Sequence, residues 1–306
     1  MAKFARRAVV LLLVLGVGLA LLPAEKAPPT GQWLSRAGLT PKVIRLGRFD
    51  VRYVRKGAGP SVILIHGLAS SIYSWADVIA PLSEKFDVIA LDLPGFGASS
   101  KPDDLSFGDY EPTLVGLMDA LDVKKAHFVG NSMGGAVSLL MAARQRDRVD
   151  HVVILDSAGF NMQPGERPFL ARLLANRTAG TLAEGLPVKR LLTRLFLKRL
   201  IQDETRITEE RIDEYEAPFL SPGAVASARS LLLSRVDEGF AADLASIQAK
   251  TLVLWGRFDP WLPLAHADRF VAEIKDARKV VLETGHMPQE EKPADVARLI
   301  GDFLVS

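Results

Sequence analysis

The sequence predicts an α/β fold, and three observations carry the prediction. Short apolar runs recur at 62–65, 88–91, 126–129, 152–155, 251–255 and 280–282, each the length of a buried strand. The run at 126–129 passes directly into Gly130-Asn131-Ser132-Met133-Gly134 and then into the helix-like stretch 136–143, so that a strand, a sharp turn and a helix follow one another. Between 159 and 245 the strand-like runs disappear, and leucine- and arginine-rich helical periodicity takes their place.

In chain order, the first feature is an export signature. Lys3, Arg6 and Arg7 precede the uncharged run 8–22, with Pro23 and Glu25-Lys26 beyond it. That run suits a secretory apolar region and falls short of the roughly 20 residues of a comfortable membrane span. Gly18-Leu19-Ala20 fits a small-x-small cleavage site, but the apolar run continues past it. Residues 1–22 are therefore expected to act as an uncleaved signal anchor, with a cleaved signal peptide and a secreted protein as the alternative, and a buried helix of the domain as a third reading. Basic residues before the segment place the amino terminus in the cytoplasm and the remaining domain on the exported side. With no cysteine, an acylated lipoprotein anchor is excluded. Residues 23–40, with Pro28-Pro29-Thr30-Gly31, read as a linker.

At 306 residues and 48% hydrophobic content, the rest of the chain can bury a full core as one domain. The 38 basic and 36 acidic residues nearly balance, so no strong field draws the protein to nucleic acid. The missing cysteine also removes disulfides, thiolate nucleophiles and Cys-type metal sites. No H-E-x-x-H or comparable ligand spacing occurs, so neither a metal nor a cofactor is expected. His127, His151 and His266 read as structural or surface residues. Oligomeric state is not legible in the sequence.

The turn around Ser132 has a chemical rationale. It strains the serine backbone and lifts Oγ clear of the sheet, while Gly130 and Gly134 let strand and helix approach without a Cβ clash. A serine hydroxyl needs a base, and the base needs an acceptor to hold its tautomer. Asp259 follows the strand-like run 251–255 in Gly256-Arg257-Phe258-Asp259-Pro260, and His286 follows the run 280–282 in Gly285-His286-Met287. The order is Ser132, Asp259, His286. Asp156, at the end of the run 152–155, is the competing acid.

These residues resemble the α/β-hydrolase superfamily, and the match covers nearly all of the chain after about residue 40. His66-Gly67-Leu68-Ala69-Ser70 after the run 62–65 looks like the family's oxyanion loop, and Asp92-Leu93-Pro94-Gly95-Phe96-Gly97-Ala98-Ser99 like its D-x-P-G-x-G-x-S turn. The resemblance implies a mostly parallel central sheet flanked by helices, a core formed by 41–158 and 246–306, and a helical lid over 159–245. It also implies an oxyanion hole from the backbone N–H groups of Leu68 and Met133, with His66 and Gly67 supporting the loop.

Within the expected lid, 188–201 carries five basic residues and no acid, with Arg190, Arg194 and Lys198 recurring every four residues. Such a helix can rest on an anionic membrane, or can pack its leucines on the core and leave its cations solvated. The activity implied is hydrolysis of a small lipophilic carboxylic ester through an acyl-enzyme on Ser132. Family members with an aspartate nucleophile, the haloalkane dehalogenases and epoxide hydrolases, are excluded by Ser132. Carbon-carbon bond hydrolases of ring-cleavage products share the elbow Gly130-Asn131-Ser132-Met133-Gly134-Gly135, but their usual H-G-S-G-P-G loop differs from His66-Gly67-Leu68-Ala69-Ser70-Ser71, which makes them the alternative. A non-enzymatic binding protein is the third class, disfavoured because all three triad residues remain.

Overall fold

In the computed structural model, residues 30–160, 189–234 and 244–306 are described. Eight strands form one sheet: β1 (Lys42–Leu46), β2 (Phe49–Lys56), β3 (Ser61–Ile65), β4 (Asp87–Leu91), β5 (Ala126–Asn131), β6 (Val149–Leu155), β7 (Lys250–Gly256) and β8 (Ala277–Leu282). Their order is β1-β2-β4-β3-β5-β6-β7-β8, antiparallel between β1 and β2 and between β2 and β4, and parallel elsewhere. The six apolar runs of the sequence lie in β3 to β8. Strands β3 to β6 hold near-continuous apolar side chains because both faces of a parallel sheet are covered.

The helices are α1 (Gln32–Arg36), α2 (Ala76–Leu82), α3 (Tyr110–Ala120), α4 (Met133–Arg144), α5 (Lys189–Leu200), α6 (Glu209–Leu220), α7 (Ala224–Leu233), α8 (Leu264–Glu273), α9 (Pro288–Glu291) and α10 (Pro293–Leu304). Side chains of α3, α4 and α8 form the core on one face of the sheet, and those of α2 and α10 the core on the other. Chain order reverses about β3, whose neighbours are β4 and β5. In such sheets ligands bind outside the carboxyl ends of the strands at the reversal, where the loop after β3 and the turn after β5 meet.

Helices α5 to α7 lie between β6 and β7, and no strand occurs among the described residues of this insertion. The basic stretch forms α5, but its cations are committed. Arg190 pairs with Glu209, Asp213 and Glu216, Arg194 with Glu209, and Lys198 with Glu204, so acids on and before α6 neutralise them. Leu197 and Leu200 are buried, whereas Leu191, Leu192 and Leu195 are exposed, so the outward surface of α5 combines apolar groups with paired charges.

The linker expected over 23–40 is shorter than expected. Trp33 and Leu34 of α1 are buried together with Leu39, Trp33 packs edge-on against Tyr73 at 5.6 Å, and Gly31 N–H donates to Glu214 of α6 at 2.5 Å. Two large apolar side chains here bury more surface by docking than a free linker would. The expected anchor, residues 1–22, and residues 161–188 and 235–243 of the expected lid lie outside the described residues. Among the described residues, no helix is long and apolar enough to cross a membrane.

Candidate active site

Ser132 stands between the last residue of β5 and the first of α4 with φ 54° and ψ −117°. A serine in this region is strained by about 1–3 kcal/mol and persists only where its surroundings over-determine it. They do so here. Its N–H donates to Leu155 O at 2.9 Å, and its carbonyl accepts from Ala158 N–H at 3.0 Å. A Cβ at Gly130 would sit on the Gly134 carbonyl, and one at Gly134 would strike the Ile65 carbonyl, so only glycine lets the turn close against the end of β3.

The loop after β3 runs directly beside this turn, since a Cβ at Gly67 would lie 3.2 Å from Ser132 Cβ. His66 is fully buried, and its Nε2 accepts from Leu93 N–H at 3.0 Å while its Nδ1 lies 2.7 Å from Gly67 O. The first bond requires a lone pair on Nε2, so the proton sits on Nδ1 and donates to Gly67 O. Burial lowers the imidazole's pKa, so His66 stays neutral and ties the loop to the segment after β4. Gly67 is thereby held against Ser132, and Leu68 is the next residue of the same loop. Met133 is the first residue of α4, and its N–H is among those a helix cannot satisfy internally.

His286 Nδ1 lies 2.7 Å from Asp259 Oδ2, and both side chains are buried. The other Asp259 oxygen accepts from Trp261 N–H at 2.7 Å and Leu262 N–H at 3.1 Å. Burial pushes the Asp259 carboxyl up, but the His286 ring and the two backbone donors outweigh it and hold the carboxyl below its usual range. The carboxylate therefore fixes the imidazole proton on Nδ1 and leaves Nε2 as the basic nitrogen. Trp261 packs against the ring at 5.3 Å and is itself backed by Phe196 of α5 at 5.5 Å.

The His286 loop is held by residues that no motif in the sequence marks. Asn131 Nδ2 donates to Leu155 O and to His286 O, both at 3.1 Å, which braces the serine turn against the histidine loop. His286 N–H donates to Leu200 O at the end of α5 at 2.8 Å. Glu291 accepts from Gly285 N–H at 2.7 Å through one oxygen and from Gln202 and Asp203 N–H at 3.0 and 3.1 Å through the other. Its position five residues after His286 is the only sequence signal for that role.

Asp156 does not contact His286 as Asp259 does, yet donor atoms of Asp156, Asp259 and His286 all lie within 4.8 Å of one another. Asp156 is fully buried and accepts from Gly256 N–H at 2.9 Å. Burial and the neighbouring Asp259 charge raise its pKa well above the carboxylate range.

A family model for the alpha/beta hydrolase fold matches residues 60–293. The chain belongs to this family. As an alpha/beta hydrolase it is 34% identical over 281 residues to the 2-hydroxy-6-oxo-6-phenylhexa-2,4-dienoate hydrolase of Comamonas testosteroni, covering 85% of this chain and 92% of that one. Among solved structures, a bacterial membrane phospholipase A is similar at a TM-score of 0.75 and 25% identity, over 99% of this chain and 98% of that one. A thermophilic esterase from Thermogutta terrifontis is similar at a TM-score of 0.72 and 25% identity, over 87% and 98%.

Proposed function

We propose that this hydrolase cleaves lipophilic carboxylic esters through an acyl-enzyme on Ser132, and the observation that carries the reading is the strained serine turn, tied through Asn131 to the loop of a buried Asp259–His286 pair. His286 Nε2 takes the hydroxyl proton as Oγ attacks the ester carbonyl, and Asp259 stabilises the imidazolium formed. The backbone N–H groups of Leu68 and Met133 stabilise the tetrahedral oxyanion, each by roughly 3 kcal/mol. Collapse of that intermediate transfers the proton to the leaving alcohol. Water, activated by the same base, then releases the acid and frees Ser132.

The ester reading is supported by the apolar packing around the triad, with Trp261 against His286, Phe196 against Trp261 and Leu68 packed on the core, and by the likeness to a phospholipase A and an esterase. Helices α5 to α7 act as the lid in this proposal, since Leu200 carries a hydrogen bond to His286 itself. Residues 8–22 anchor the chain, with the hydrolase domain on the exported side.

A second reading, carbon–carbon bond hydrolysis of a keto-dienoate, is favoured by the 34% identical relative. The shared Gly-Asn-Ser-Met-Gly-Gly elbow does not decide between them, because Asn131 braces two backbone carbonyls and any reaction at Ser132 needs that brace. A turnover profile across p-nitrophenyl esters of rising chain length, monoacylglycerols and a ring-cleavage keto-dienoate decides. Ester turnover at least ~100-fold above dienoate turnover is expected, about the discrimination one well-fitted site gives; the reverse ratio establishes the second reading. Ser132→Ala should abolish turnover and fluorophosphonate labelling of the folded protein on either, and labelling retained at another serine would relocate the site.

A further inference from the structure

The sheet carries a second cluster of chemically competent side chains at its opposite end. His127 is the second residue of β5, five residues before Ser132, or about 16 Å along an extended strand. Opposite it, β6 is irregular. Ala126 pairs with Val149 and Phe128 with Val152, so His127 faces both Asp150 and His151. Successive residues of a regular strand point to opposite faces, whereas a bulge of two residues against one re-aims them. Here it gathers three donors, and His127 Nδ1, Asp150 Oδ2 and His151 Nδ1 converge.

The distances suit a cation better than a hydrogen-bond network. Asp150 Oδ2 lies 3.7 Å from His127 Nδ1 and 3.5 Å from His151 Nδ1, and donor atoms of all three residues fall within 4.8 Å of one another. These separations are too long for good N–H···O bonds. They are close to the roughly 3.3–3.4 Å edge of a tetrahedron whose metal–ligand bonds are about 2.0–2.1 Å.

The imidazoles cannot satisfy themselves otherwise. His127 is 3% exposed, and its Nδ1, like both ring nitrogens of His151, is buried without a hydrogen-bond partner among the described residues. Phe86 packs edge-on against His127 at 6.1 Å and Phe303 against His151 at 5.5 Å, which sets the ring planes. Lys125 engages the other Asp150 oxygen at 2.8 Å, leaving Oδ2 toward the rings. Asp150 is 41% exposed, so water has access to a fourth position.

We propose that His127, Asp150 and His151 form a site for one divalent first-row transition ion, with Zn2+ the best fit to two imidazoles and one carboxylate. The ion staples the amino-terminal ends of β5 and β6 and takes no part in the reaction at Ser132.

The test is calorimetric titration of the tag-free, chelator-treated full chain with ZnCl2 at neutral pH, with Co2+ absorption as a second readout of tetrahedral coordination. One ion per chain at micromolar or tighter affinity is expected, together with a rise in Tm on adding Zn2+. His127→Gln and His151→Gln should each weaken binding by roughly a hundredfold and remove the Tm rise, while fluorophosphonate labelling of Ser132 stays unchanged. Asp150→Asn, at a half-exposed position where the fold is not at risk, should weaken binding roughly tenfold or more. His286→Gln should bind as wild type does. Binding that survives His127→Gln, that is lost with His286→Gln, or that is only millimolar in the wild type would overturn the site.

Discussion

Asp156 directly follows β6 with φ 42°, buried, with its carboxyl near that of Asp259. Two carboxylates this close and this dry cannot both ionise, so the pair holds one proton. Asp259 keeps the charge because the His286 ring and two backbone N–H groups stabilise it, while burial and the Asp259 charge drive the proton onto Asp156. Asp156→Asn substitutes a neutral group of the same shape and should leave kcat/KM within about threefold of wild type, the range of an uncharged isosteric change. Asp259→Asn should lower it by roughly 10³–10⁴ through the wrong imidazole tautomer. Steady-state kinetics of the two variants settles the assignment, and the opposite ranking would make Asp156 the acid of the triad. Both aspartates were legible as candidates because each follows an apolar run. Which one keeps the proton was not, since that depends on Trp261, Leu262 and Gly256 backbone donors brought in by the fold.

Helix α6 is tied to the catalytic end of the sheet through α9. Glu290 is buried, pairs with Arg211 of α6 at 2.8 Å and accepts from the Tyr215 hydroxyl, which in turn accepts from Ser70 in the loop after β3 at 3.2 Å. Burial, only partly offset by Arg211 and Tyr215, pushes the Glu290 pKa up to about 7. The folded state therefore binds this proton more tightly than the unfolded chain, whose glutamate titrates near 4.3. Stability from Glu290 is present in full below that lower value and is lost as pH rises through about 7, on the order of 3 kcal/mol across the window. Glu290→Gln mimics the protonated form, so wild-type Tm should fall relative to the variant as pH rises from about 4.5 to about 7. A constant Tm difference across that range would show that Glu290 is ionised throughout. None of this coupling leaves a local signature in the sequence. The same holds for β1, buried only at Leu46, and β2, where exposed and half-buried polar residues interrupt the buried ones; with Arg45, Asp50, Arg52 and Arg55 among them, neither strand holds a continuous apolar run to read.

For the molecule as a whole, the question is where the folded domain begins and what binds it to a membrane. Trp33, Leu34 and Leu39 join the core that also holds Trp75, Val78 and Phe303, and each large apolar side chain buried contributes roughly 1.5–3 kcal/mol. A chain starting at residue 30 should accordingly be stable and turn over substrate like the full protein. A chain starting at residue 41 loses those three side chains and the Gly31–Glu214 hydrogen bond, and its Tm should drop by ten degrees or more, given about 2–4 °C per kcal/mol for a domain of this size. If residues 8–22 are the anchor, the chain starting at residue 30 should also leave the membrane fraction. Helix α5 should not retain it on anionic vesicles by charge, because Arg190, Arg194 and Lys198 are already paired with acids of the same insertion. Vesicle sedimentation across a salt series separates the cases. Binding that falls as salt rises would mean that lipid competes those ion pairs open, whereas binding that is salt-indifferent and lost on replacing Leu191 and Leu195 by serine would place the contact on the exposed leucines of α5.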